Sequence, residues 1–404
     1  MRVRNIKGLF SIRFYLPGNV LVLAISSALW SIGLSLASPF QSLFFEGLGA
    51  QPVYIGILSA VSSAVTMLAY FFGGFLADIY GRKQLITVFS FVSAASAFLY
   101  FFINQWTYLL IPIVIGALSG IYSPAFNASL NDSMEPDMRA VGFASYAVVT
   151  TIPSIFAPYI GGLMVEKFGI VLGIKLAFVI SGAIGIPAVY WRMSKLKETY
   201  TPRKKKIKFG RLVKDAISGY ATALKVATRQ AKLLLLYSIT SSLASGLSTV
   251  FVSIYLINKL SVSPTQYGFL VGISALGTII FLIPSLTLIK KYSLKKLAIL
   301  SALSAPLSML IFVSANGMND FIAWSVTGSV SGSLLGSVVQ GLQGNSTSQQ
   351  IRGRFMALFS AFSLLAAVPG QVISGFLYQA ISPISTFVAA IPLYVISVLI
   401  LMAL

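Results

Sequence analysis

The sequence predicts an all-α membrane protein: twelve transmembrane helices arranged as two pseudo-symmetric six-helix bundles. Three observations carry that prediction. Only 9% of the residues are charged while 57% are hydrophobic, whereas a soluble domain carries roughly 25% charge. The apolar residues fall into runs of about 20, the length a helix needs to cross hydrocarbon. The second six runs also echo the first six.

In chain order the runs lie near 20–45, 53–77, 84–103, 107–130, 140–165 and 171–192, then 232–258, 264–289, 295–315, 319–343, 353–378 and 383–404. Helices or closed barrels alone satisfy the backbone in lipid, and runs of this length read as helices. The basic start "MRVRNIKGLFSIRFYLPGN" leads into an apolar run too long for the core of a cleaved signal peptide, so the first span is expected to be retained. With the N-terminus inside, only Lys167, Lys175 and Lys259 of the 29 basic residues fall outside. The positive-inside rule thus expects a multi-pass protein of the cell (plasma) membrane with both termini cytoplasmic.

Residues 1–192 form the expected first bundle and 232–404 the second. Between them, 193–231 is a basic cytoplasmic linker. In it Phe209, Leu212, Val213, Ile217, Tyr220 and Leu224 recur at helical spacing opposite Arg211, Lys214 and Asp215. An amphipathic helix on anionic lipid and a solvated linker fit this pattern equally.

The halves repeat in detail. Arg139 and Arg352 open spans five and eleven, and Gly162 and Gly375 each follow 23 residues later. "VYIGILSAVSSA" entering span two resembles "TQYGFLVGISAL" entering span eight. Such duplication is how many solute carriers are built, with the site between the halves.

Composition removes whole classes of chemistry. With no cysteine or histidine and only nine acids, thiol chemistry and an ordinary zinc site are excluded. No cofactor or metal is expected, and the chain is not expected to be an enzyme. The net charge of +20 is spread over short loops, which fits membrane topology and not nucleic acid.

Spans 1, 4, 7 and 10 each carry a stripe of small or polar residues. Such a stripe turns away from lipid, toward helix contacts or a central cavity. The candidate cavity residues are Ser31, Ser35, Gln41, Tyr122, Asn127, Tyr146, Ser245, Thr249, Tyr255, Gln340 and Gln371. No charge falls mid-span in these four helices, so a cavity without charge and a neutral or amphipathic ligand are expected.

One polar stretch breaks the apolar pattern between spans two and three. "GGFLADIYGRK", with Gly74, Asp78, Gly81, Arg82 and Lys83, resembles the signature loop of the major facilitator superfamily. "APYIGG", with Pro158, Gly161 and Gly162, resembles the Gly-Pro-x-x-Gly-Gly motif of its antiporters and drug exporters, Ala157 replacing the first Gly. The resemblance implies a cytoplasmic charge cluster Asp78–Arg82–Asp132. We further expect Asp78 to face the positive end of span eleven, making a conformational latch with Arg139 and Arg352. Departures are equally specific. Pro112 stands where proton-coupled exporters carry an Arg, four residues before Gly116, and Lys291 replaces Asp78 in the second half.

The resemblance implies alternating access with export of a small amphipathic or drug-like solute, and leaves proton-coupled antiport open. A facilitator or importer of a neutral metabolite such as a sugar is the first alternative, and a lipid flippase or scramblase the second. The expected partners are the solute and the bilayer, with anionic lipid at the basic linker and protons as a candidate coupling ion. Nucleic acid is not expected, and the chain is expected to act as a monomer.

Overall fold

A computed structural model describes residues 15–200, 224, 225, 227–346 and 352–404. The proposed amphipathic helix, residues 209–224, lies outside them but for Leu224. Side chains of Asp78, Gln340 and Arg352 are outside the description as well.

Among the described residues all regular secondary structure is helical. The first half comprises α1 (Gly18–Gly47), α2 (Pro52–Tyr80), α3 (Arg82–Phe102), α4 (Trp106–Asp132), α5 (Arg139–Thr151 continued by Pro153–Phe168) and α6 (Ile170–Lys195). The second comprises α7 (Arg229–Lys259), α8 (Pro264–Lys291), α9 (Leu294–Ser314), α10 (Met318–Val330 through Gly336–Ser346), α11 (Arg352–Ala380) and α12 (Ser385–Met402). Among the described residues eleven helices are long and apolar enough to cross a membrane. The other is α10, of matching length and rich in Ser and Gly. Each of these helices hides its polar backbone, the one requirement hydrocarbon enforces.

The face where α1 begins is here called proximal and its opposite distal. At the distal end a single core spans both halves, containing the fully buried rings Phe40, Phe44, Phe251, Phe312 and Phe387. At the proximal end the core splits. Val20, Leu23, Ile86 and Leu130 pack within the first half, and Leu234, Leu297, Val338 and Leu401 within the second. The halves are thus joined distally and parted proximally.

Close backbone approach makes that distal joint. A side chain at Gly162 of α5 would run into the backbone of Pro264 and Thr265 on α8. One at Gly375 of α11 would run into the backbone of Pro52 and Val53 on α2. These are equivalent contacts of the duplicated unit, related by a shift of 212–213 positions. Small residues permit such proximity, and dispersion and shared core burial then hold the helices.

Hydrogen bonds cross between the halves at the same end, and three of them obey the same repeat. Glu166 Oε1 accepts from the Thr265 backbone N–H at 3.0 Å, and Gln379 Oε1 accepts from that of Val53 at 3.3 Å. Glu166 and Gln379 are equivalent positions, each satisfying the first turn of the opposite half's second helix. Glu46 and Asn258, also equivalent, pair with each other at 2.6 Å.

The repeat extends to broken helical geometry. In α1, Ser38–Phe40 forms a 3₁₀ turn, and α7 is interrupted at Val250 and Phe251. In α4, Ser119–Ile121 is 3₁₀, and in α10, Ser331–Leu335 is a π turn. The first and fourth helices of each half therefore depart from regular α-helical geometry at matched positions, as helices around functional sites often do.

Gly162→Leu is expected to force α5 from α8 and cost about 1–3 kcal/mol, the scale of overpacking, read as a lowered Tm of the detergent-purified protein. Gly74→Ala, with nothing within 4 Å of the added carbon, should leave Tm near its starting value.

Candidate functional site

The space between the parted halves is a cavity of about 840 Å³. Its walls come mainly from α4 (Asn127, Asn131), α7 (Tyr237, Ser238, Ser241, Ser242, Ser245), α10 (Ser331, Gly332, Leu335, Gln343) and α11 (Met356, Phe359, Ser360). Phe143 of α5, Ala305 of α9 and Tyr394 of α12 also line it. Hydroxyl and amide groups here face a void where they would be unsatisfied in lipid. The mix of rings and hydroxyls suits an amphipathic ligand.

A second cavity, about 350 Å³, opens within the first half. It is lined by Ser27, Trp30 and Ser31 of α1, Tyr70 of α2, Tyr122, Ser123, Phe126 and Asn127 of α4, Tyr146 and Thr150 of α5, and Arg192 of α6. Asn127 borders both cavities.

Arg192 overturns the expectation of a cavity without charge. The predicted span six ends at this residue, which would leave its head in the interface. Instead α6 continues to Lys195 and the Arg192 side chain turns inward, 2% exposed. Its Nε donates to Ser26 Oγ at 2.9 Å, Nη1 to Ser90 Oγ at 2.6 Å and Nη2 to Ser27 Oγ at 3.1 Å. The guanidinium lies 5.2 Å from the Phe126 ring centre and 5.8 Å from that of Tyr122. The charge escaped notice because it enters from a helix outside the four striped ones. Nothing in "VYWRMSK" distinguishes an inward Arg from a topogenic one.

The other cavity candidates divide. Ser31, Tyr122, Asn127 and Tyr146 line the smaller cavity and Ser245 the larger. Gln41, Thr249 and Gln371 surround a pocket of about 210 Å³ between α1, α2, α7 and α11, where Gln371 Oε1 is buried without a partner. Ser35 instead pairs with Ser154 of α5 at 2.9 Å, a helix–helix contact. Tyr255 packs against Phe312 and Phe387 in the distal core.

The proximal loop between α2 and α3 turns at Gly81, whose φ of +88° is costly for any residue with a Cβ. That turn sends Arg82 toward the end of α4, where its Nη1 forms an ion pair with Asp132. Arg82 Nη1 also donates to Thr199 Oγ1 at 3.2 Å, and the guanidinium lies over the Tyr200 ring. Glu198 went unnoticed in the sequence. Its carboxylate accepts from the backbone N–H groups of Arg82 at 3.1 Å and Lys83 at 3.0 Å, capping α3. An acid at the positive end of a helix is favourable, and here it ties the chain after α6 to the loop. Arg139 lies exposed at the start of α5.

Pro158, Gly161 and Gly162 sit on the opposite side of the molecule from this cluster, at the distal joint. Gly161 lies against the Leu36 carbonyl of α1, and Gly268 of α8 lies against that of Pro158.

Comparison with known proteins agrees with this architecture. The family model of the Major Facilitator Superfamily matches residues 23–244 and again 233–404. An uncharacterized MFS-type transporter, YqjV of Bacillus subtilis (strain 168), is 23% identical over 384 residues, 90% of this chain and 86% of the relative. The quinolone resistance protein NorA of Staphylococcus aureus is 27% identical over 170 residues, 42% of each chain. Among solved structures, a mutant of the nucleoside transporter NupG superposes with a TM-score of 0.78 at 14% identity, covering 95% of this chain and 98% of that one. The human organic anion transporter MFSD10 (TETRAN) gives 0.70 at 14% identity, with 95% and 98% covered.

Glu198→Ala is expected to uncap α3 and cost about 0.5–2 kcal/mol, the usual loss on removing an N-terminal cap, seen as a lower Tm. Glu198→Gln should recover part of it, since an amide oxygen still accepts.

Proposed function

This chain belongs to the Major Facilitator Superfamily, and on that premise we propose that it exports a small amphipathic solute by alternating access. It is a multi-pass membrane transporter and not an enzyme. The observation that carries the finer reading is the asymmetry between the two ends. A cavity of about 840 Å³ lies between halves that share a core only distally. With the basic loops read as cytoplasmic, the proximal face is the inner one, and the cavity loads from the cell interior.

In the mechanism, the solute enters between α4, α7, α10 and α11. Rocking of the halves then closes the proximal end and opens the distal one. Opening must part Glu46 from Asn258, Glu166 from Thr265 and Gln379 from Val53, three bonds already accessible to loop water. Each contributes about 1 kcal/mol net, so the distal gate is weak enough to cycle. Proximal closure falls to the latch, in which Asp78 at the end of α2 meets the start of α11 near Arg352. The Arg82–Asp132 pair and the Glu198 cap hold that loop rigid for the encounter.

Export is favoured over uptake by "APYIGG" at the distal joint and by the partial likeness to NorA. Protons remain the candidate coupling ion, with anionic lipid against the basic linker.

Two measurements test this. A chain without cysteine suits single-cysteine labelling. Ser360→Cys is expected to react with an impermeant maleimide from the inner side of oriented vesicles and be protected from the outer. Asp78→Asn should raise that inner reactivity several-fold, and an unchanged inward/outward balance would sink the latch. Second, proteoliposomes carrying the protein should move a fluorescent amphipathic dye, with flux rising when an inward proton gradient is imposed. Gradient-independent equilibration would instead identify a facilitator, and labelled-lipid transfer a scramblase.

A further inference from the structure

We propose that the cavity around Arg192 is an anion site that binds the carboxylate of a small aromatic acid. The argument begins with cost. A guanidinium removed from water loses several kcal/mol of hydration unless an anion or a full set of acceptors replaces it. Arg192 lies only three residues from Lys195 at the proximal end of α6, so a long side chain there has an inexpensive route to the interface. It takes the inward route, at 2% exposure.

Its partners are three neutral hydroxyls, Ser26, Ser27 and Ser90. Among the described residues no carboxylate pairs with it. A guanidinium has five N–H donors. The three bonds use the Nε donor and one on each terminal nitrogen, leaving one donor on Nη1 and one on Nη2. One free donor on each terminal nitrogen is the complement that the two oxygens of a carboxylate can use. The hydroxyls fix the ring of donors in place before any ligand arrives, so little ordering is left to oppose binding.

The walls select what the carboxylate is attached to. Trp30, Tyr70, Tyr122, Phe126 and Tyr146 enclose the void, offering flat apolar faces to an aromatic body. At about 350 Å³ the space is at the small end of ligand pockets, enough for an acidic head and one or two rings. Ser27, Tyr70, Tyr122, Tyr146 and Thr150 each stand seven to eleven residues inside the proximal helix ends, a depth of about 10–16 Å. Because Asn127 borders both cavities, a longer ligand extends into the larger one.

This deepens the transport reading by naming the solute class, and rests on that reading only for the statement that the acid is cargo. Binding itself is independent of it and is measured without a gradient. Isothermal titration of the detergent-purified protein with 1-naphthoate is expected to give a Kd at least ten-fold below that for 1-naphthamide, its neutral isostere. Arg192→Gln should lose about 10- to 100-fold in affinity for the acid, the scale of a charged hydrogen-bond pair, and little for the amide. Arg192→Lys keeps the charge without the fork and should retain part of the preference. Equal affinity for acid and amide in the unmodified protein, or no binding of the acid, overturns the site with no variant needed. So does a preference that survives Arg192→Gln. A protein that binds the acid selectively yet moves no solute in proteoliposomes would keep the site and lose the transport reading.

Discussion

The close approach of α5 to α8 and of α2 to α11 is the constraint on which the rest of this structure depends. Gly162 and Gly375 let backbones touch at one end of the molecule. Once those contacts form, Phe40, Phe251, Phe312 and Phe387 merge into a core common to both halves. The bonds of Glu46, Glu166 and Gln379 then close the rim. Rigid helices joined at one end must diverge at the other, and the cavity is the space that divergence leaves.

Duplication explains why the joint is balanced. A contact that serves one half against the other recurs with the roles exchanged, so the seal has two equal arms about a pseudo-two-fold axis. Irregular turns recur in the same way in α1 and α7, and in α4 and α10. Equivalence breaks where function needs a single site. Glu166 carries charge where Gln379 does not, and Arg82 pairs with Asp132 in the first half while Lys291 replaces Asp78 in the second. Arg192, a buried cation, belongs to the first half as well.

Arg192 changes the chemistry of the interior. Ser and Tyr groups alone would offer a weakly selective surface for neutral or amphipathic molecules. A fixed guanidinium among aromatic faces adds a preference in charge, at a depth where the low dielectric strengthens any pairing. The serines around it show how a membrane protein tolerates such a group, by supplying acceptors from neighbouring helices.

Much of the fold was legible in the sequence because hydrocarbon imposes a local rule: a run of about 20 apolar residues must be a helix. Span count, the repeat joining Gly162 to Gly375, and the turn at Gly81 all follow from patterns along the chain. α10 was legible as well, as a run rich in Ser and Gly and without charge after Asp320. The site was legible only as stripes. Ser31, Asn127 and Ser245 border cavities, while Ser35, on the same stripe as Ser31, packs against Ser154, since helical spacing fixes a face and not what that face meets. Arg192 and Glu198 were not legible at all. Each acts on helices 100 or more positions away, Arg192 on Ser26 and Ser90, and Glu198 on Arg82. The sequence by itself determined which segments cross and that they come in two equal sets. Tertiary structure alone decided which polar groups meet, because a side chain's partner depends on how helices distant in sequence are turned toward one another.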